Sequence, residues 1–280
     1  MIGAIIGDII GSPFEFNNYR AKDFDFFAPG CYVTDDSIMT IAIGGGLLDC
    51  KEKGLLAFDK YHQLTWKQEE EIAEIVVKFM KMLGRPYDDC GYGSHFYQWM
   101  YSDDEIGYNS CGNGSAMRIS SVGEMANDIG EVKVLSRIVT MVSHNHIEGL
   151  KGAEATAVAV FMAKHGASMD DIERVINDEY YPIGFTIDKL RETYKFDGTC
   201  QGTVPQALQC FFESTDYVDC IRNCISIGGD SDTIAAIAGG VAAAYYGVPS
   251  ELKEATEACL DERLRKIYDE FERRYPTKVV

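Results

Sequence analysis

The segment GGDSDTIAAIAGGVAAAYYG, residues 228–247, decides what this chain can fold into. It begins with two glycines and the polar cluster Asp230-Ser231-Asp232-Thr233, and it continues into a long run of alanine, glycine and isoleucine. The pattern predicts a helix over residues 231–246. Each glycine inside such a helix costs about 1 kcal/mol relative to alanine, which is tolerable where another backbone must come close. We therefore expect a tightly packed central helix whose polar start lies at one end of the core.

A second acidic cluster, Thr34-Asp35-Asp36-Ser37, precedes another small-residue run, residues 38–48. Taken alone it is a good helix start, because threonine is a suitable N-cap and acidic residues favour the first turn. The cluster at residues 230–233 has more acidic residues than a helix start requires. Asp230 would cap the helix as well as serine does, so Asp232 is not needed for capping. Like charges that crowd together are costly unless a cation lies between them. If the fold joins the clusters, their oxygens form a ligand set for Mg²⁺ or Mn²⁺ and favour a two-metal hydrolase.

Helical periodicity covers most of the remaining chain. Residues 69–83 place apolar side chains at every third or fourth position. The best strand candidate, residues 181–187, contains Pro182 and Gly184, so we interpret it as a loop. No linker or low-complexity stretch divides the chain. We therefore expect an all-α fold in one domain over residues 1–280. Further helices are predicted over residues 116–125, 131–142, 147–165, 203–212, 217–227 and 257–275.

The charge balance narrows the range of partners. Lysine and arginine total 26 and aspartate and glutamate total 44, so the formal net charge is −18. Such a surface is repelled by phosphate backbones and by anionic lipid, which argues against nucleic-acid and membrane partners. A polyanionic substrate would need local cations to offset this field, and bound divalent metals would supply them.

The cysteines and the first residues indicate the compartment. There are nine cysteines, an odd number, and no CxxC motif, a pattern typical of buried thiols in a reducing cytoplasm. Residues 1–8 lack a basic region and include Asp8, so we do not interpret them as a signal peptide. No run of 18 apolar residues occurs, so no membrane span is expected.

Glu15 is a candidate for proton transfer. It lies between two aromatic residues, after Gly11 and Pro13, which mark the end of a short helix. An exposed loop glutamate is one interpretation. The other is a partly desolvated carboxyl that acts as a general acid or base.

A glycine loop, Gly112-Asn113-Gly114-Ser115, precedes the helical run 116–125 and offers backbone N–H groups to an anion. Glycine loops are common turns, so the signal is weak by itself. Arg118 in the first turn opposes the helix dipole, which indicates a specific anionic or hydrogen-bonding partner. An internal salt bridge is the plain alternative.

Histidines and aromatic residues complete the set of candidates. Residues 143–149, SHNHIEG, contain an HxH pair, but no third histidine or cysteine has the spacing of a zinc ligand. One of these histidines could stack on a base or bind a ribose, and two polar residues at a helix junction are an equally good interpretation. The aromatic segment 92–99 is expected to pack in the core or over the site.

Five segments occur in an order that resembles the ADP-ribosylglycohydrolases, the family of dinitrogenase-reductase-activating glycohydrolase and the animal ADP-ribosyl-hydrolases. The resemblance covers about residues 1–247, and all five segments together are a specific signal. They are GAIIGDIIGSPFEF (3–16), TDDSIMT (34–40), GNGSAMR (112–118), SHNHIEGLKGAEATAVA (143–159) and GGDSDTIAAIAGGVAAAYYG (228–247).

The resemblance implies a single compact all-α domain with two Mg²⁺ or Mn²⁺ ions. It implies hydrolysis of the glycosidic bond between ADP-ribose and a protein side chain or small acceptor. Glu15 is the implied acid/base candidate, and Asp36 and Asp232 are also expected to be catalytic. The implied metal ligands are Thr34, Asp35, Asp36, Asp230, Asp232 and Thr233. The implied ADP-ribose contacts are Gly112, Asn113, Gly114, Ser115, Met117 and His144.

Alternatives stay open at this point. One is a catalytically inactive member that binds ADP-ribose or has a structural role, although no motif position is missing. Another is a metal-dependent phosphatase, whose nucleophile usually follows a strand, whereas residues 220–229 have a helical pattern. The acceptor is also open among arginine, serine, nucleic-acid ends and free metabolites. We expect a monomer.

Overall fold

The computed structural model describes residues 1–103 and 106–280, and every regular element in these ranges is a helix. The all-α prediction is confirmed. Short 3₁₀ turns follow α1 and α3, at Ser12–Phe14 and Arg85–Tyr87. The α-helices are α1 (Ile2–Gly11), α2 (Asp35–Glu52), α3 (Trp66–Gly84), α4 (Ser94–Tyr101), α5 (Gly114–Met117), α6 (Ser120–Met125), α7 (Ile129–Met141), α8 (Ile147–Lys164), α9 (Met169–Glu179), α10 (Ile187–Thr193), α11 (Cys200–Phe212), α12 (Tyr217–Ser226), α13 (Ser231–Tyr246), α14 (Ser250–Cys259) and α15 (Glu262–Arg274).

Helix α13 is the central helix that its sequence predicts. It packs against α1, α8, α11 and α12, and its residues from Ser231 to Ala243 are all buried. Its bounds are those expected from the small-residue run. Because the side chains of alanine and glycine are small, neighbouring helices come close to the axis of α13 on several sides.

The first helix is the nearest neighbour of α13, and glycines make the approach possible. A Cβ atom on Gly7 would lie 2.1 Å from the carbonyl oxygen of Ala235, and one on Gly11 would lie 2.4 Å from the Cα of Asp232. Neither distance is possible for a real side chain. The glycines therefore let α1 lie backbone to backbone against α13, and this contact fixes where α1 ends relative to the start of α13.

Helix α2 begins beside this pair. Thr34 is its N-cap, with the side-chain oxygen accepting the N–H of Asp36 over 3.3 Å, so the predicted capping role is confirmed. The helix packs on α1, α3 and α15. The ends of α1, α2 and α13 consequently meet in one region of the fold.

Two predicted helices are interrupted. The helix expected over residues 257–275 is wrong as a single element, because α14 ends at Cys259 and α15 begins at Glu262. Asp261 causes the new start, since its side chain accepts the N–H groups of Arg263 and Leu264 as an N-cap. The run 116–125 is likewise divided into α5 and α6, with Arg118 in the break.

The other sequence-based boundaries agree closely with the structure. Residues 69–83 lie within α3, residues 131–142 overlap α7, and residues 147–165 correspond to α8. Residues 181–186 lie outside helices and strands, as expected for a loop. None of the helices in the described ranges is both long and apolar enough to span a bilayer.

Candidate functional site

The starts of α2 and α13 meet in one cavity. Thr233 donates a hydrogen bond from Oγ1 to Asp36 Oδ2 over 3.3 Å, which joins residues 197 positions apart in the chain. A cavity of about 340 Å³ opens beside this contact. The predicted site residues with acidic or hydroxyl groups that line it are Glu15, Asp35, Asp36, Asp230, Asp232 and Thr233. The fold thus provides the shared cavity on which a site built from both clusters depends.

Three carboxyl groups crowd together at the bottom of this region. Oxygens of Asp8, Asp36 and Asp232 lie within 4.8 Å of one another. Burial raises the pKa of Asp36 and of Asp232 well above the usual range, and the neighbouring carboxylates raise both further. Within the described part of the chain, the buried Oδ1 of Asp36 has no hydrogen-bond partner. An unpaired buried acceptor beside like charges is costly, and an oxygen-only donor set fits a hard divalent cation.

Asp8 is a part of this region that sequence reasoning missed. Its Oδ2 accepts the N–H groups of Thr34 and Ser37, both over 3.1 Å, and also the Ser37 hydroxyl. Burial raises the pKa of Asp8 to about 6, although the hydrogen bonds from Ser37 and Thr34 act in the opposite direction. Asp8 therefore fastens the start of α2 to α1. A single aspartate inside the apolar helix IGAIIGDIIG was the signal for it.

The predicted ligands Thr34 and Asp35 differ in their surroundings. Thr34 is buried, and its hydroxyl donates to Asp8 Oδ1 over 2.5 Å while it accepts from Asp36 N. Only one of its lone pairs remains for a cation. Asp35 is half-buried and lines the cavity, and its backbone N–H is bonded to Cys90 O over 2.8 Å. Burial and then the charge of Asp8 raise the pKa of Asp35.

Asp230 joins α13 to the glycine loop. It occupies the N-cap position of α13, but its side chain does not cap the helix, which corrects the capping interpretation. Its Oδ2 instead accepts the side-chain amide of Asn113 over 2.7 Å. Burial raises the pKa of Asp230, and the bond from Asn113 lowers it. The carboxylate is thus held toward the cavity by a residue from a distant loop.

Glu15 lies at the edge of the same carboxyl group cluster. Its oxygens, with those of Asp230 and Asp232, lie within 4.8 Å of one another. Glu15 is half-buried rather than fully exposed. Burial raises its pKa to about 7, with further contributions from Asp230 and Asp8. A carboxyl group with such a pKa exchanges protons readily at neutral pH.

The glycine loop forms a second wall of the cavity. Gly112, Asn113, Gly114 and Met117 line it. Ser115 does not belong to the lining, because it is buried behind the loop, where its hydroxyl donates to Gly149 O over 2.9 Å. The predicted contact of Ser115 with a substrate stays a prediction, and its observed bond fixes the loop to α8.

His144 lies directly against this loop. A Cβ built on Gly112 or on Gly114 would come 3.4 Å from its Nε2. On the other side of the ring, Nδ1 lies 2.9 Å from the Ser143 hydroxyl. Burial, and then the charge of Arg118, lower the pKa of His144 well below its usual value. The imidazole is therefore neutral at pH 7, with Nε2 toward the cavity.

A third wall comes from the aromatic segment 92–99, which was expected to pack in the core or over the site. Helix α4 begins at Ser94 after Gly93, with no side-chain cap on its first N–H groups. Phe96 and Trp99 are both buried in the core, so the segment belongs to the core as well as to the cavity wall. The lining residues are Gly91, Gly93, Ser94, His95 and Phe96. An uncapped helix start that faces a cavity offers N–H donors to an anion, and the Gly-Tyr-Gly-Ser sequence could have indicated this.

The fold and the cavity define an all-α protein in which clustered carboxylates and two glycine-rich segments line one cavity, an arrangement suited to hydrolysis of an anionic substrate. Comparison with known proteins is consistent with this class. The chain belongs to the ADP-ribosylglycohydrolase family, whose model matches residues 1–278. The resemblance predicted from the five segments is confirmed.

Similar proteins include ADP-ribosylhydrolase ARH3 of several vertebrates. The mouse protein is 24% identical over 332 residues, which cover 92% of this chain and 86% of the relative. The chicken protein is 25% identical and the human protein 24% identical, each with 92% of this chain covered and with 88% and 87% of the relative. Family membership and these relatives support ADP-ribosyl hydrolase activity.

A solved structure described as an "ADP-ribosylglycohydrolase-related protein complex" has a similar fold. The TM-score is 0.62 at 20% sequence identity, and the match covers 97% of this chain and 96% of the other. This similarity shows the fold.

Proposed function

We propose that this protein hydrolyses the bond between C1 of the ADP-ribose ribose and a nitrogen or oxygen of an acceptor, with two Mg²⁺ or Mn²⁺ ions. The observation that carries the proposal is the meeting of Asp36 and Asp232 in one cavity, where Asp36 Oδ1 has no partner in the described residues. Capping does not require so many buried carboxyl groups. A cation site does.

The proposed ligands are Asp35, Asp36, Asp230, Asp232 and Thr233, with Thr34 as a further candidate. Bound divalent ions would neutralise these carboxylates, orient the ribose hydroxyls and lower the pKa of a water molecule. In the oxocarbenium-like transition state positive charge develops on the ribose, which is proposed to lie beside these carboxylates. Carboxylate oxygens that do not ligate a metal would stabilise that charge. The surrounding structure is held by the hydrogen bonds that Asp8 accepts from Thr34 and Ser37 and by the one that Asn113 donates to Asp230.

Glu15 is the proposed proton-transfer residue. In its ionised form it removes a proton from the attacking water, and in its protonated form it donates one to the leaving atom. Its raised pKa supports either role near pH 7. Its position beside Asp230 and Asp232 puts the carboxyl close to the acidic part of the cavity, where the ribose is proposed to bind.

The diphosphate is proposed to bind between the two glycine-rich segments. The start of α4 and the loop 112–114 both line the cavity. In the loop, the N–H groups of Gly112 and Asn113 are already bonded, to Ser110 Oγ and Gly198 O, so the α4 start is the better source of free N–H groups. N–H dipoles hold phosphate without basic side chains, which suits a chain of net charge −18. With Nδ1 accepting a hydrogen bond, His144 presents an Nε2–H donor on the same side.

The acceptor is proposed to lie on the other side of Glu15. A second cavity of about 360 Å³ is lined by Glu15, Phe16, Lys195 and Phe196, among others. Glu15 and Phe196 also line the main cavity. The group to be released would therefore leave past the proposed proton donor into an open, partly aromatic space.

Free cysteines throughout the chain support the expectation of a reducing cytoplasm.

The test is hydrolysis of ADP-ribosyl-arginine, ADP-ribosyl-serine and small ADP-ribose conjugates by the Mg²⁺-loaded protein. We expect activity on at least one substrate, loss with EDTA and recovery with Mg²⁺ or Mn²⁺. Glu15→Gln should lower kcat by about 10²-fold or more while ADP-ribose binding persists. Glu179→Gln, at an exposed position on α9, is the matched control and should leave kcat unchanged.

Two results would contradict the proposal. If all three substrate types stay intact with metal present, hydrolysis of ADP-ribosyl bonds is wrong for this chain. If ADP-ribose binds tightly without any turnover over hours, the inactive ADP-ribose-binding alternative is correct.

A further inference from the structure

Arg118 is a buried cation in the wall of the cavity. It follows α5 in the chain, it is 1% exposed, and it is among the largest fully buried side chains. It also lines the main cavity. A guanidinium removed from water needs strong partners, because the desolvation of a charge is costly.

The partners that the fold supplies are neutral. Arg118 donates to the Ser143 hydroxyl over 2.6 Å, lies 3.4 Å from His144 Nδ1, and stacks over the Phe96 ring at 5.5 Å from its centroid. Its buried Nε has no hydrogen-bond partner in the described ranges. In those ranges Arg118 also forms no ion pair with a carboxylate. The internal salt bridge considered from the sequence is therefore not observed.

Arg118 is the one lysine or arginine among the described residues that line the cavity, which also include the carboxyl groups of Glu15, Asp35, Asp36, Asp230 and Asp232. Of these carboxylates, Asp35 is the one whose charge acts on Arg118. The Arg118 guanidinium stacks on the ring of Phe96, which belongs to the first turn of α4. The initial N–H groups of this helix have no side-chain cap. The cation and the helix start therefore lie at the same wall.

We propose that Arg118 binds the diphosphate of the ligand as its charge partner and so sets the direction in which the ligand lies in the cavity. This rests on the proposed function for the identity of the ligand. A diphosphate supplies the negatively charged partner that the guanidinium lacks among its contacts in this fold. The ribose to be cleaved then points toward the carboxylates.

The contacts of Arg118 also orient His144. Because the Ser143 oxygen accepts from the guanidinium, its hydroxyl proton is free to go to His144 Nδ1. The imidazole then carries its own proton on Nε2, the atom that lies against Gly112 and Gly114. A neutral histidine beside a permanent cation is expected, since burial and then the charge of Arg118 lower the pKa of His144. One buried cation thus supports two donors for the same ligand.

The experiment compares the binding of ADP-ribose, ADP and adenosine by calorimetry, with Mg²⁺ present, in wild type and in Arg118→Met and Arg118→Lys. We expect Arg118→Met to weaken ADP-ribose and ADP by about 30-fold or more, the scale of lost hydrogen bonds to a charged group. Adenosine, which has no phosphate, should bind within about 2-fold of wild type. Arg118→Lys keeps a point charge without the planar fork, so its loss should be smaller, about 3- to 10-fold.

Arg222→Met is the matched control. Arg222 also stacks on aromatic rings and donates to carbonyl groups, of Lys22 and Phe24, but it does not line the cavity. It should leave all three affinities unchanged. Thermal unfolding reports whether each variant is folded, and Arg118→Lys carries the test if Arg118→Met does not fold.

The outcomes separate the two proposals. Equal losses for adenosine and ADP-ribose, or no loss for ADP-ribose, would assign Arg118 a purely structural role and overturn the inference while hydrolysis stands. A wild-type protein that binds ADP-ribose through Arg118 but cleaves no conjugate would remove the proposed hydrolysis and leave the inference intact.

Discussion

Replacement of Asp36 by asparagine should have opposite effects on the metal-free and the metal-loaded protein. In the absence of metal, Asp36 is one of three carboxyl groups with oxygens within 4.8 Å of one another. Asparagine keeps the shape and an acceptor for the Thr233 hydroxyl but removes the negative charge. The metal-free variant should therefore be more stable than metal-free wild type, while its ability to bind the cation should be lost.

The magnitude follows from the distances. Two unit charges 4.8 Å apart repel by about 3.5 kcal/mol at an effective dielectric constant of 20. Asp36 has two such neighbours, Asp8 and Asp232, but protonation of these groups relieves much of the repulsion, as their raised pKa values indicate. A gain of about 2 kcal/mol is a conservative expectation. For a chain of 280 residues it raises the Tm by about 3 °C.

The metal-loaded state gives the opposite sign. A cation at 100 times its Kd stabilises the folded state by about 2.7 kcal/mol. Wild type should gain this increment when Mg²⁺ or Mn²⁺ is added after EDTA treatment, and Asp36→Asn should not. The assay is thermal unfolding of both proteins at pH 7.5, in EDTA and across a metal titration.

Asp178→Asn is the control, because Asp178 is an exposed aspartate on α9. It should leave both the metal-free Tm and the metal increment at wild-type values. The reasoning fails if metal-free Asp36→Asn is less stable than wild type and still gains the full increment from the metal, since the carboxyl group would then be neither strained nor a ligand.

Two further predictions concern the helix contact and the buried carboxyl of α1. Gly7→Ala should destabilise the protein by about 3 kcal/mol, because the added Cβ would lie 2.1 Å from Ala235 O. Gly184→Ala, where the added atom meets open space, should stay within about 1 kcal/mol of wild type. Denaturant unfolding measures both, and equal effects would exclude close packing of α1 on α13. The pKa of Asp8 is raised from 3.8 to about 6 in the folded protein, so its protonated form stabilises the fold fully below about pH 3.8 and this stabilisation is lost as the pH rises through about 6. Metal-free wild type should therefore lose up to about 3 kcal/mol of stability between pH 4 and pH 7 relative to Asp8→Asn, and parallel pH profiles for the two proteins would contradict a buried, protonated Asp8.

The sequence predicted the parts of this structure that depend on local pattern. The small-residue run 231–246 gave α13 its bounds, and residues 69–83 indicated α3, because both patterns are continuous over several turns. The break at Asp261 was missed, since an aspartate that caps one helix looks the same in sequence as one on the surface of a longer helix. Periodicity alone does not distinguish the two.

The part of the candidate site that could be predicted from sequence consists of the acidic residues within the two clusters. Asp36 and Asp232 are adjacent in space, as the two clusters required, but nothing in the sequence states that α1 is the nearest neighbour of α13. Asp8 was missed for that reason, because its importance comes from that packing. Residues 92–99 were expected in the core or over the site, and they take part in both. The uncapped start of α4 within them was not predicted, because aromatic residues are a strong signal for the core.

The intimate contact of α1 with α13 has a consequence for how the protein is made. From Gly11 to Ser231 the chain runs for 220 residues, which a ribosome synthesising about 10 residues per second needs roughly 20 s to complete. During most of that time the isoleucine-rich helix α1 lacks α13, the helix against which it packs in the folded protein. Contacts between such distant segments slow folding and leave apolar surface open to aggregation. Newly made chains should therefore depend on molecular chaperones, and a chain stalled before residue 231 should be bound by them or degraded.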